Sequence, residues 1–332
     1  MIGDGVAHRR RYAPDQIEKT AWGGYMELRH LRYFIAIAES GSFTIAATQR
    51  LHTAQPSLSR QIRELEAEVG VQLLIRSTRG IELTAAGRAF LDHARIALAQ
   101  AEAGTEAARR AAHPAKPTFA LGFMTGQEME WLPEAINVLR DELPKTEVTV
   151  LSQNSPWLAE ALTRGKLDLA FMRAEPDMPG LAYKLVTKEP IVAVLPSDHR
   201  LASLDEIDPR EFAGENFVTI SSAAPTLKLV IDEFMSRSGV EIHPTHEINN
   251  LAMAVSMVAS TGGVTLLPAY AVNFFPVSVV SRPLAGEPPT IDLVVGYSKT
   301  NTSQTLQLFL SKVDGLISRS RQRQTRPRRQ AR

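Results

Sequence analysis

The residues best suited to recognition chemistry lie in the stretch HTAQPSLSRQIRELE, residues 52–66. At 100° per residue, Pro56, Ser59, Arg60 and Arg63 fall on one side of a helix, while Leu58, Ile62, Leu65 and Val69 form an apolar stripe on the other. Guanidinium groups donate in pairs to guanine edges or phosphate oxygens, and a serine hydroxyl donates to a phosphate. Thr53 is the expected cap of this helix, and Pro56 belongs in its first turn, where a missing N–H removes no bond. The outward face is polar and cationic near its N-terminus, as in a helix seated in a DNA groove. The alternative is a solvated charged face.

Other reactive residue types form weaker patterns. His243 and His246, in HPTHE, fall in an expected strand, where residues three apart face opposite ways, so the pair does not make a metal site. Glu128 and Glu130 could serve as acid and base, but glutamates at a helix start more commonly cap it or face its dipole. The chain has no glycine-rich phosphate loop, no GxSxG elbow and no paired-carboxylate motif. With no cysteine it forms no disulfide, thiolate nucleophile or iron–sulfur ligand, which points to a reducing compartment. These residues call for no cofactor and no metal, and they argue against an enzyme.

The 332 residues suffice for two or three domains, and 44% of them are apolar. The formal charge of +1 is unevenly spread: counting Lys and Arg against Asp and Glu gives +1 over 1–25, +2 over 26–112, −9 over 113–318 and +7 over 319–332. Five arginines lie between Arg50 and Arg79, whereas Glu64, Glu66 and Glu68 gather toward the end of the helix. No apolar run has the length of a membrane span, and the basic cluster His8–Arg11 is not followed by the apolar core of a secretory signal. A cytoplasmic protein is expected.

These residues need elements to hold them. ELRHLRYFIAIAE, residues 27–39, has helical periodicity, Gly41 ends it, and Ser42 can cap a short helix from Phe43 to Leu51. His52 and Thr53 then make the turn into the cationic helix, which completes a helix-turn-helix outline. VQLLIRS and GIELT alternate around Ser77–Gly80 and predict a β-hairpin, a wing with Arg79 at its tip. Thr84 can cap AAGRAFLDHARIALAQAEAGTEAARR, whose seam Phe90, Ala94, Ala97, Ala101 and Ala108 keeps heptad register over about 39 Å. A dimerisation helix is the preferred reading of this segment, with a single core helix as the alternative.

HPAKP, residues 113–117, marks a linker. Beyond it strand and helix patterns alternate through FALGFM, EWLPEAINVLRDEL, VTVLSQ, WLAEALTRG and LDLAFMR, which predicts a parallel sheet with crossover helices. IVAVLP, FVTIS, VTLLP and DLVVGYS add strands; Leu227–Arg237, NLAMAVSMVAS and Gln304–Ile317 add helices. The arginine-rich end has no apolar face and is expected to be disordered.

Residues 26–317 resemble the LysR-type transcriptional regulators. The resemblance rests on MELRHLRYFIAIAESGSFTIAA and LHTAQPSLSRQIRELEAEVGVQLLIRSTRGIELTAAG, with the shorter LPEAI, RGKLDLAF, VLPSDHRLA and GGVTLLP. It implies an α+β and α/β multidomain protein with a winged helix-turn-helix over 26–84, a linker helix over 85–112 that pairs two chains, and an effector-binding domain over 113–318. That last domain would have two subdomains, similar to type 2 periplasmic binding proteins, between an N-terminal extension (1–25) and a basic tail (319–332). It further implies a homotetramer, a dimer of dimers, whose hold on double-stranded promoter DNA and whose bending of it respond to a small organic effector. Aromatic and dicarboxylic acids are the effector classes to test. No membrane is involved.

Carried over residue by residue, the DNA-reading positions are Gln55, Pro56, Ser59, Arg60, Arg63 and Arg79. The effector positions are Met124, Thr125, Gly126 and Gln127 after the first strand of the sensor domain, and Gln153, Asn154 and Ser155 after the second. The sequence departs from the family pattern in AATQRL, which has one residue more before Leu51 than the usual AAxxL, so the second helix or its turn must absorb it. LLIR also lacks the usual phenylalanine, and the two charged ends are not family features.

Overall fold

The computed structural model describes residues 26–77, 80–112, 117–176 and 178–324. The extension 1–25, the wing tip with Arg79, most of the HPAKP linker and the tail beyond Gln324 lie outside the described residues. The chain divides into two compact units, Met1–Leu98 and Ala99–Arg332.

In the first unit, α1 (Leu28–Ser40) ends at Gly41, whose φ of 61° lies in the left-handed region that glycine enters without a Cβ clash. Ser42 caps α2 (Phe43–Ile45) by accepting the Ile45 N–H. The chain then widens into a π-helix over Ala46–Arg50, where the Leu51 N–H reaches back five residues to the Ala46 carbonyl at 3.0 Å. One added residue in a helix is most simply housed by such a bulge, so the extra residue of AATQRL is absorbed inside the second helix. His52, at φ 48°, makes the turn.

The cationic helix α3 (Gln55–Val69) starts one residue later than a Thr53 cap requires: Ala54 stands at the N-cap and offers no side-chain bond, while Thr53 uses its N–H on the Ala47 carbonyl. Pro56 does occupy the first turn. Leu58, Ile62 and Leu65 are buried with Phe34, Ile37 and Ala46, and Val69 packs at the edge. Strands β1 (Leu74–Ser77) and β2 (Gly80–Leu83) pair antiparallel as the expected hairpin. Helix α4 (Ala85–Ala112) begins on Thr84, whose hydroxyl accepts the Gly87 N–H at 2.8 Å. Phe90 and Ala94, read in sequence as the start of a seam between chains, belong to the core of this unit, Phe90 edge-on to Phe34 at 5.3 Å. Ala97 and Ala108 are exposed.

The second unit keeps the expected parallel pairing in its first strands and adds antiparallel ones. Strands β3 (Thr118–Met124), β4 (Glu147–Gln153) and β5 (Leu169–Met172) are parallel, but β11 (Thr290–Ser298) runs antiparallel to β5 and to the sixteen-residue β6 (Leu181–Pro196). β9 (Thr265–Pro268) and β10 (Val279–Arg282) are also antiparallel to β6, while β7 (Phe217–Ile220) pairs in parallel with β8 (Pro244–Ile248). Three apolar cores result among the described residues, two of them large. One gathers α5 (Glu128–Glu142) and α9 (Gln304–Gln324) on the first strands around Trp131, Phe171 and Phe309; the other holds α7 (Pro225–Arg237) and α8 (Leu251–Thr261) around Phe217, Phe234 and Val258. α6 (Ser155–Thr163) covers the opposite face of β5 through Leu158 and Leu162. The expectation of disorder from residue 319 is corrected as well: α9 continues to Gln324, and Arg319 pairs with the buried Glu134 at 3.4 Å. Extending an existing helix fixes one residue per bond gained, which Ser, Arg and Gln tolerate without an apolar face.

Candidate DNA-reading face and effector cavity

Gln55, Pro56, Arg60 and Arg63 are exposed on α3, and Ser59 is half-buried between them. The Arg60 side chain is 69% exposed, and its Nε lies 3.7 Å from Glu64 Oε1. Arg63 Nε donates to the Ser59 carbonyl at 3.3 Å. The Ser59 hydroxyl accepts from Arg76 Nη1 of β1 at 3.2 Å, and the Arg76 guanidinium lies 4.8 Å from the Phe43 ring centroid. Sequence reasoning did not single out Arg76. Its position follows from the hairpin register, which sets Arg76 opposite Ile81.

The second unit contains a cavity of about 230 Å³, lined from one core by Met124, Thr125, Gln153, Asn154, Ser155, Arg173 and Glu175. From the other come Ile220, Pro225, Thr226, Leu227, Ile248, Asn249, Asn250 and Leu251, with Leu267, Pro268 and Tyr270 beside them. Two of the sequence-predicted residues are not in this lining: Gly126 is packed against Tyr270 and Phe274, and the buried Gln127 turns its amide to Glu189 at 2.8 Å.

Local folding accounts for the placements. β3 and β4 end side by side, so the loops after them meet, and the Thr125 N–H donates to the Gln153 carbonyl at 3.2 Å. Asn154 caps α6 by accepting the Trp157 N–H at 3.0 Å. Ser155 is buried and accepts the Arg173 N–H at 2.9 Å, which leaves its own hydroxyl hydrogen free to donate. Glu128 accepts the Gly126 N–H at 2.7 Å and the Ser152 hydroxyl at 3.3 Å, so it braces the first loop from its outer side.

Arg173, missed by sequence reasoning, is 4% exposed and follows β5. Its Nη2 donates to Glu189 across the sheet, whereas its Nη1 is buried without a partner among the described residues. Tyr270 donates to the Thr125 carbonyl at 3.3 Å, and burial pushes its phenol up to about 12, so it stays protonated. The only sequence signal for Arg173 was a charge directly after a wholly apolar strand, LAFM.

Known proteins resemble this chain along most of its length. Residues 28–88 match the family described as "Bacterial regulatory helix-turn-helix protein, lysR family", and residues 112–314 match "LysR substrate binding domain". The Hca operon transcriptional activator HcaR of Escherichia coli is 37% identical over 287 residues, 86% of this chain and 96% of that protein. The HTH-type transcriptional regulator AlsR of Bacillus subtilis is 33% identical over 286 residues, 86% of this chain and 94% of that protein. Among solved structures, full-length CbnR complexed with its target DNA is similar at a TM-score of 0.52 and 25% identity, covering 88% of this chain and all of that one. A helix-turn-helix matched over residues 28–88 and a second unit matched over residues 112–314 make this chain a member of the LysR family of transcriptional regulators.

Proposed function

We propose that this regulator works in the cytoplasm without enzymatic activity and reads promoter DNA as a homo-oligomer, a dimer of dimers paired through α4. Gln55, Ser59, Arg60 and Arg63 are the readers, Pro56 sets the helix start, and Arg79 enters the minor groove from the wing. An effector in the sensor cavity alters the bend that the protein holds in the DNA. The reading is supported by the face of α3, where four polar or cationic residues stand opposite a fully buried apolar stripe. Among the described residues there is no group of three potential metal-ligating side chains and no helix long and apolar enough to cross a membrane.

The cavity favours one of the two effector classes. A single buried guanidinium nitrogen, Arg173 Nη1, is open to an acceptor, while Glu175 adds a carboxylate to the wall and Glu128 another behind Thr125. One carboxylate therefore finds a donor, and a second meets like charge. The apolar residues of the second core suit an aromatic body, so an aromatic monocarboxylic acid fits better than a dicarboxylic acid. Gel retardation on the DNA upstream of its own gene, with and without benzoate, cinnamate, fumarate or phthalate, tests both halves. Retention of that DNA and a response limited to the monocarboxylates are expected. No retardation would overturn the DNA reading, and a response to dicarboxylates alone would overturn the effector class.

A further inference from the structure

A chain of four side chains runs from the core of the first unit to Arg60. His30 of α1, 6% exposed, accepts the Glu27 N–H at Nδ1 (3.2 Å). A backbone N–H can only donate, so the imidazole proton sits on Nε2, which donates to Gln61 Oε1 at 2.9 Å. That contact fixes the orientation of the Gln61 amide: its Nε2 faces Glu64 and donates to Oε2 at 2.7 Å. The other Glu64 oxygen, Oε1, meets Arg60 Nε.

Gln61 is unusual in this setting. It sits beside Ile62 on the inner face of α3, 8% exposed, where an apolar residue would bury without any need for partners. A buried amide is stabilising only when its polar atoms are met, and here the oxygen is held from the core by His30 while the nitrogen is turned outward to Glu64. The effect on Arg60 is geometric. With Nε turned to Glu64, the paired terminal nitrogens form the free edge of the guanidinium, and that edge makes bidentate bonds to a base or phosphate.

We propose that His30 and Gln61 are positioning residues for DNA reading: through Glu64 they hold Arg60 with its terminal nitrogens presented, so part of its ordering is complete before DNA arrives. The proposal rests on the assignment of Arg60 as a reader. Fixing a long side chain beforehand saves ordering entropy on binding, equivalent to a roughly 2- to 12-fold gain in affinity. The gain applies to the specific site only, because loose phosphate contacts do not require one guanidinium orientation.

The test is a double-mutant cycle on the full chain, using the DNA upstream of its gene and a shuffled DNA of equal composition. Gln61→Met is expected to weaken binding to the upstream DNA about 2- to 12-fold, to leave shuffled DNA unchanged, and to have almost no further effect in an Arg60→Ala background. Glu64→Ala, at a half-exposed position, is run through the same cycle and keeps the test decisive if Gln61→Met does not fold. Equal losses in both backgrounds, equal losses on both DNAs, or no loss would overturn the relay while leaving Arg60 a reader. An Arg60→Ala chain that binds like the parent would instead remove the reading on which the relay rests, and the relay with it.

Discussion

Glu66 Oε1 lies 2.9 Å from the backbone nitrogen of Leu73 and accepts its hydrogen, joining the reading helix to the approach of the wing. The same oxygen accepts the Leu74 N–H at 3.0 Å. On its other side, the Leu73 carbonyl accepts the Thr84 N–H at 3.0 Å, and a Cβ on Gly87 would stand 2.0 Å from that carbonyl oxygen. Helix, hairpin and the start of α4 thus converge on one residue.

Glu66→Ala leaves two backbone N–H groups at this junction without their acceptor. A hydrogen bond to a charged group contributes about 1.5–3 kcal/mol, so a marked fall in the melting temperature of the first unit is expected. Gly87→Ala should be at least as damaging, because backbone must move to admit the methyl group. Calorimetry of the full chain checks both, and an unchanged first-unit transition in either variant would contradict the junction.

Glu39 gives a dependence on pH. Partial burial raises its carboxyl, but hydrogen bonds from Arg50 and Arg95 outweigh this and hold it below its ordinary value of 4.5. A carboxyl lowered in the folded state contributes stability that is complete above the unfolded value and is lost as the pH falls through the folded one. The melting temperature of Glu39→Gln should therefore lie below that of the parent at pH 7 and converge on it as the pH is taken below the lowered folded value. A constant gap over that range would show that the pair adds no stability.

Ala97→Glu addresses the pairing of chains. Ala97 is exposed in the single chain, so the change should leave the melting of an isolated chain unaltered while, in the proposed pairing, setting a carboxylate between two closely packed helices. Sedimentation should reveal a smaller assembly with weaker DNA binding. A variant with the parent's mass and DNA affinity would show that α4 is not the contact between chains.

Thr125 and Ser155 separate recognition from stability. Ser155→Ala leaves the buried Arg173 N–H unmet, a loss of about 1–3 kcal/mol that a thermal melt detects. Thr125 is exposed to the cavity, and Thr125→Ala should weaken effector binding by roughly 2- to 12-fold with little change in melting. Calorimetric titration with the most effective carboxylic acid reads the second effect.

The elements most legible in the sequence were those stabilised by their own periodicity. The stripe Leu58, Ile62 and Leu65 defined the reading helix, and the Ser42 and Thr84 caps marked their helix starts. Pairing between distant strands was not legible. The antiparallel course of β11 beside β6 depends on residues about a hundred positions apart, such as Lys188 and Asp292, and neither strand carries a local mark of direction. The cavity was half visible for the same reason. Its loops follow strand ends in order, but the guanidinium that completes it takes meaning from Glu189, sixteen residues on and across the sheet.

The π-helix at Ala46–Arg50 behaves like a dislocation in a crystal: an extra unit enters the row, and the lattice recovers its order within one turn. Carried through an unbroken α-helix, the same residue would rotate everything after it by about 100° and turn the apolar stripe of α3 toward solvent. Beyond the turn at His52, α3 still buries Leu58, Ile62 and Leu65, so the added residue leaves its apolar stripe facing the core. The one added residue therefore lengthens the chain without altering what the next helix presents, as a step in a stair is widened without turning the flight above it.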